Sequence, residues 1–163
     1  IVCCGKGMGG GIAVSGDVGK KKIMDLPDVG NMSSTNSANP IACSAGLAVI
    51  EEIQKKKLTL KSKRLGVLLH KGLNNIKKKF PNLFDVYGKG LIASMVFDKR
   101  VPNINYKLKL IVEDAMKNGL LLCYTGRESI KIGPPLTITR EALKEGLKII
   151  EESVEKIFKN EQN

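Results

Sequence analysis

Tryptophan is absent, and aromatic residues make up only 4% of the 163-residue chain. Lysine is abundant but has few stacking partners. The lysine triplets Lys20–Lys22, Lys55–Lys57 and Lys77–Lys79 fall at the edges of helical patterns and do not form one aromatic-interleaved surface. Arginine, the residue for bidentate contacts, is confined to Arg64, Arg100, Arg127 and Arg140. The formal charge of +11 is therefore read as a solvated face, which gives salt-sensitive sticking to polyanions and no specific nucleic-acid partner. His70 is the only histidine, which excludes a histidine cluster and argues against a histidine-based triad. No apolar run approaches the ~20 residues that span a membrane, so no membrane partner is expected. The four cysteines show neither CxxC nor metal-ligand spacing. Cys3 and Cys4 sit in an apolar stretch expected to be a buried strand, and Cys43 and Cys123 have apolar neighbours, so all four are expected as reduced core thiols of a cytoplasmic chain.

What is present is a glycine run around one lysine: Gly5-Lys6-Gly7-Met8-Gly9-Gly10-Gly11 directly follows Ile1-Val2-Cys3-Cys4. Glycine lets a backbone turn sharply and approach a ligand closely. Two chemistries fit. Gly5-x-Gly7-x-x-Gly10 matches the dinucleotide fingerprint in form, with Asp25 or Asp28 placed to hold a ribose. That fingerprint needs a helix opening at its third glycine, whereas Gly11–Gly19 is rich in glycine and β-branched residues and reads as strand and turn. A Walker loop fails sooner, because Gly7 stands where Ser or Thr is required after Lys6. The second chemistry is a lysine amine that condenses with the aldehyde of a phosphate-bearing cofactor and, once released, serves as a base.

Three stretches carry a resemblance that bears on this choice. Lys6 with Gly10-Gly11, Ser34-Thr35-Asn36-Ser37-Ala38-Asn39-Pro40-Ile41-Ala42-Cys43, and Gly133-Pro134-Pro135-Leu136-Thr137-Ile138 are similar, in this order, to motifs of the class III (ω-type) aminotransferases, pyridoxal-phosphate enzymes of fold type I. The resemblance covers almost the whole chain. It implies pyridoxal 5'-phosphate as cofactor and Lys6 as the lysine that holds it and moves the proton. Thr35, beside Ser34, is implied to bind the cofactor phosphate of the neighbouring subunit in a homodimer. The implied activity transfers an amino group between an amine or amino acid and a 2-oxo acid. Amino-acid racemases share the scaffold and the lysine, so they stay open as an alternative, as does a non-catalytic remnant.

The sequence departs from the family pattern at two places. Many relatives have His or an aromatic where Asn36 stands, and the arginine that commonly grips a substrate carboxylate is replaced by Lys131. Lysine is a point charge without the guanidinium fork. Arg127 is a possible substitute, with pairing to Glu128 as its ordinary reading. The family's acid for the pyridine nitrogen, its ring-stacking aromatic and its upstream phosphate-binding glycine and serine have no counterpart in these residues. The chain is thus expected to be a C-terminal fragment, from a truncated gene product or an incomplete sequence, that opens on Ile1 without a signal sequence.

The expected fold class is α/β: the end of a fold-type-I large domain (1–56), a connecting helix (57–82) and a small C-terminal α/β domain (83–163). In the first region a strand is expected at Gly11–Ser15, a short helix at Lys20–Leu26 and a polar loop at Pro27–Asn39. Pro40 then opens a helix with Ala42, Ala45, Gly46, Val49, Ile50 and Ile53 on its packed face. A helix follows over Leu58–Lys79. Beyond it come strands at Leu91–Phe97, Leu120–Tyr124 and Ser129–Ile132 and a helix over Tyr106–Asn118 stopped by Gly119. Thr139 is read as the N-cap of a last helix with the stripe Leu143, Leu147, Ile150, Val154 and Ile157.

Overall fold

The computed structural model describes residues 1–159, which divide into a unit over Ile1–Leu58 and a second that begins at Thr59. In the first unit, β1 (Val2–Cys4) and β2 (Gly16–Val18) form an antiparallel ribbon with Cys3 opposite Asp17. Between them lies a single 3-10 turn, Lys6–Gly9. Helix α1 is one turn, Lys21–Met24, and α2 spans Pro40–Lys55. Proline occupies the first helical turn, where a missing N–H costs nothing. Asn39 caps α2, its Oδ1 accepting from Ile41 N at 2.9 Å and Ala42 N at 3.3 Å.

Several expectations are corrected here. The strand after the glycine run is Gly16–Val18, because 10–15 are consumed by the turn that brings the chain back antiparallel to β1. β1 is exposed along its whole length, since a two-stranded ribbon has only one neighbour and no layer over either face within its unit. With it, the core-thiol reading fails: Cys3, Cys4, Cys43 and Cys123 are all exposed, and all are unpaired. On α2, Ala42, Ala45, Gly46, Val49 and Ile53 are the covered positions, whereas Ile50 is exposed.

The second unit is a two-layer α/β arrangement. Helix α3 (Leu58–Lys79), all but its first residue, leads into β3 (Phe84–Lys89) and β4 (Ile92–Phe97), then α4 (Ile104–Lys117), β5 (Cys123–Tyr124), β6 (Ser129–Ile132) and α5 (Arg140–Lys159). The sheet is antiparallel with order β3-β4-β6-β5. Alternation puts Ala93, Met95, Phe97, Ile130 and Ile132 on the covered face, where they meet Leu69, Leu73 and Ile76 of α3, Leu108 and Ile111 of α4, and Leu143, Ile150 and Val154 of α5. Phe97 lies 5.1 Å from the Phe84 ring and 6.4 Å from that of Phe158. The helices cover one face; Tyr87, Ile92 and Val96 remain exposed on the other.

Inside the helical layer, Asp114 of α4 is buried and accepts from Ser153 Oγ at 2.9 Å and from Lys156 Nζ at 2.5 Å on α5. The Lys156 ammonium holds the Asp114 carboxyl below its ordinary value, with the Ser153 hydroxyl adding to the effect against the opposing cost of burial. Thr139 caps α5 through Ala142 N at 3.1 Å.

Candidate active site

The glycine run fixes where Lys6 stands. Successive turns close through Met8 N to Gly5 O (3.1 Å), Gly10 N to Gly7 O (3.2 Å) and Ile12 N to Gly9 O (3.1 Å). Gly9 is buried against Val14, and a Cβ on it would lie 2.7 Å from Val14 Cγ1. Gly10 takes φ +60°, and a Cβ there would come within 3.0 Å of Val49 Cγ2 on α2. Glycine at 9 and 10 thus lets the turn pack closely on Val14 and on α2. Lys6 itself adopts φ +49°, a left-handed conformation that L-residues other than Gly, Asn and Asp visit rarely.

From this turn Lys6 borders a hollow of ≈ 800 Å³, together with Ser15, Ser34, Asn36, Ser37, Asn39 and Cys43. Ser34 Oγ and Ser37 Oγ are 2.6 Å apart. Of the residues singled out in the sequence, Lys6, Ser34 and Asn36 thus share one concavity; Thr35 is exposed on the same loop but does not line it. Ser37 lies inside the stretch that carries the resemblance, whereas Ser15 does not stand out from its surroundings in the sequence.

A phosphate-bearing aldehyde needs an amine for its carbonyl carbon and neutral or positive donors for its phosphate. Lys6 supplies the first, and three serine hydroxyls with the Asn36 and Asn39 amides supply the second. The lining residues include no carboxylate to repel the phosphate. They also include no aromatic face and no acid for a ring nitrogen, so the fit concerns the aldehyde and phosphate ends. The nearby Cys3 thiol is not poised as a nucleophile, because hydrogen bonding and repulsion from the Asp17 carboxylate push it above its ordinary value.

Lys131 and Arg127 belong to the second unit. Lys131 is exposed at the centre of β6, flanked in sequence by the buried Ile130 and Ile132. Neither a hydrogen bond nor an ion pair engages its ammonium among the described residues. Arg127 is exposed in the β5–β6 turn, where its carbonyl accepts from Ser129 N and its N–H reaches Thr125 Oγ1 at 3.4 Å. No ion pair joins Arg127 to Glu128 among the described residues.

A glycine-turn and helix unit in a chain whose other unit is a helix-covered antiparallel sheet defines an α/β class of fold. Residues 1–154 match the family described as Aminotransferase class-III, and the chain belongs to that family. It is 40% identical over 151 residues to 5-aminovalerate aminotransferase of Pseudomonas putida, covering 90% of this chain and 36% of the relative. It is 37% identical over 158 residues to leucine/methionine racemase of Thermococcus litoralis, covering 94% and 35%. Among solved structures, acetylornithine aminotransferase of Elizabethkingia anophelis superposes with a TM-score of 0.83 at 31% identity, covering 94% of this chain and 40% of that one. The chain therefore spans about a third of the length of the curated relatives it matches.

Proposed function

We propose that the chain is the lysine-bearing part of a pyridoxal-phosphate-dependent aminotransferase that moves an amino group between an amine or amino acid and a 2-oxo acid. The observation that carries this reading is Lys6, presented by the glycine turn at the edge of a hollow whose other polar groups are hydroxyls and amides. Bound there, pyridoxal 5'-phosphate supplies the electron sink that makes the substrate α-proton labile. The chain's own tasks are to hold it and to move a proton. Lys6 Nζ would hold the cofactor and would move the proton to and from the substrate α-carbon. Ser34 and Thr35 anchor the phosphate, Thr35 toward a neighbouring subunit of a homodimer. Lys131 and Arg127 are the candidates for the substrate carboxylate.

In this reading 1–56 close the large cofactor domain, 57–82 are the connecting helix, and 83–163 form the small domain of a longer enzyme. Four unpaired thiols suit a reducing, cytoplasmic compartment. Borohydride reduction of the cofactor-loaded protein, followed by peptide mapping, is expected to leave the pyridoxyl group on Lys6. Label on another lysine, such as Lys22 or Lys89, would overturn the assignment. The likeness to leucine/methionine racemase keeps a second reading alive, because both reactions use the same lysine and the same α-proton. Incubation with a single L-amino acid and no oxo acid separates them: the D-form accumulates only if the protein racemises.

A further inference from the structure

The β3–β4 turn and one face of α3 border a hollow of ≈ 650 Å³ within the second unit, and it shares no lining residue with the Lys6 hollow. That volume lies inside the roughly 300–1,000 Å³ typical of small-molecule sites. Thr59, Ser62, Lys63, Val67 and His70 recur at helical spacing and so fall on one face of α3, while Lys89 closes the hollow from the hairpin. Ser62 Oγ joins the two elements by accepting from Leu91 N at 3.2 Å, and its own O–H donates to nothing among the described residues.

The charges at this hollow are unpaired. Neither the Lys63 nor the Lys89 ammonium has an ion-pair or hydrogen-bond partner among the described residues, and the lining contains no carboxylate. Elsewhere on α3, by contrast, Lys77 is paired with Asp85 and Lys79 with Glu151. The rest of the lining includes Val67, Gly66 and Gly90, so an apolar wall stands beside the two cations.

We propose that this hollow binds a small phosphate monoester, with the Lys63 and Lys89 ammonium groups as counter-charges, the Thr59 and Ser62 hydroxyls donating to phosphate oxygens, and Val67 against the organic body. Two unpaired ammonium groups match the two charges of a phosphate monoester, whereas a carboxylate would satisfy only one. The hydroxyls add direction to the point charges of lysine. A lysine face that is merely solvated requires neither the concavity nor the hydroxyls. The inference does not rest on the aminotransferase reading.

His70 is the only histidine in the chain, so the nuclear magnetic resonance signals of its ring report on the hollow without further assignment. Its Nε2 has no hydrogen-bond partner among the described residues, so no internal bond competes as the source of a shift. The purified protein is titrated with phenyl phosphate at constant ionic strength and about pH 8, where the monoester is a dianion. Saturable displacement of the His70 signals is expected, with an affinity at least about threefold higher than for inorganic phosphate, because the phenyl ring buries apolar surface. Benzoate, a monoanion with the same ring, should bind at least about threefold more weakly than phenyl phosphate. Lys63→Met and Lys89→Met should each weaken phenyl phosphate binding about threefold or more. Lys144→Met, which removes the same charge from α5 outside the hollow, should leave it unchanged. Lys6→Ala should also leave it unchanged, so this test and the Lys6 labelling experiment fail independently. No saturable His70 response, inorganic phosphate or benzoate binding as tightly as phenyl phosphate, or an equal loss in Lys144→Met would each overturn the proposal.

Discussion

Ser34 and Thr35 are adjacent hydroxyls in different surroundings, one bordering the Lys6 hollow and one outside its lining. If the phosphate is held within a single chain, Ser34→Ala should weaken cofactor retention; if Thr35 reaches the cofactor of a partner copy, Thr35→Ala should do so. The resemblance favours Thr35, and loss of one charge-assisted bond costs on the order of 1.5–3 kcal/mol in cofactor binding. Equilibrium dialysis of the two variants measures it, and a collapse of single-turnover rate with unchanged affinity would defeat an anchoring role. Asp114 makes a second residue-scale prediction, this time about folding. Its folded-state carboxyl titrates below the ordinary 3.8 because Lys156 and Ser153 stabilise the anion, so its contribution is complete above that value. It is lost as pH falls through the lower folded value. Denaturant midpoints should decline with acid in the parent and decline less steeply in Asp114→Asn. Ser153→Ala, which leaves the buried carboxylate short of a donor, should cost about 1–2 kcal/mol at neutral pH.

At the scale of elements, the junction of α3 with the β3–β4 turn is a packing constraint. A Cβ on Gly66 would lie 2.5 Å from Gly90 Cα, and Leu91 N donates to Ser62 Oγ at 3.2 Å across the same junction. Backbone cannot rotate away as a side-chain end can, so Gly66→Ala should destabilise the second unit by roughly 1–3 kcal/mol in a urea midpoint measurement. Gly72→Ala should cost less, since the atoms it would meet are the mobile methyls of Leu147. The same elements differ in how readable they are. The α3 bounds, the β6 bounds and the helix starts marked by Pro40 and Thr139 follow from periodicity and end chemistry, which are local. β3 is not legible in the sequence, because Asp85, Gly88 and Lys89 interrupt any apolar alternation and the strand exists through its pairing with β4. The exposure of β1 is not legible either: an apolar run announces that a strand suits burial, but what covers it is set by residues distant in sequence. At the candidate site, Lys6 and Ser34 are legible from their motifs. Ser15 is not, since a common polar residue gains meaning only from the wall it joins.

For the whole molecule, the expectation follows from what the hollow contains and lacks. The 163-residue chain by itself should show no measurable transamination, because its lining residues offer no aromatic face and no acid to keep a pyridinium protonated. Turnover by the purified chain, assayed with an amino acid and a 2-oxo acid, would sink the view that a longer enzyme is needed. The backbone of Lys6 adds a consequence of another kind. At φ +49° a lysine is less comfortable than a glycine by about 1 kcal/mol. Lys6→Gly is therefore expected to raise the thermal midpoint of the fold while removing the amine, and Lys6→Ala, which keeps the Cβ, should give no such gain. On the aminotransferase reading, folding alone would favour glycine at this position, and the amine is kept there at a cost in robustness.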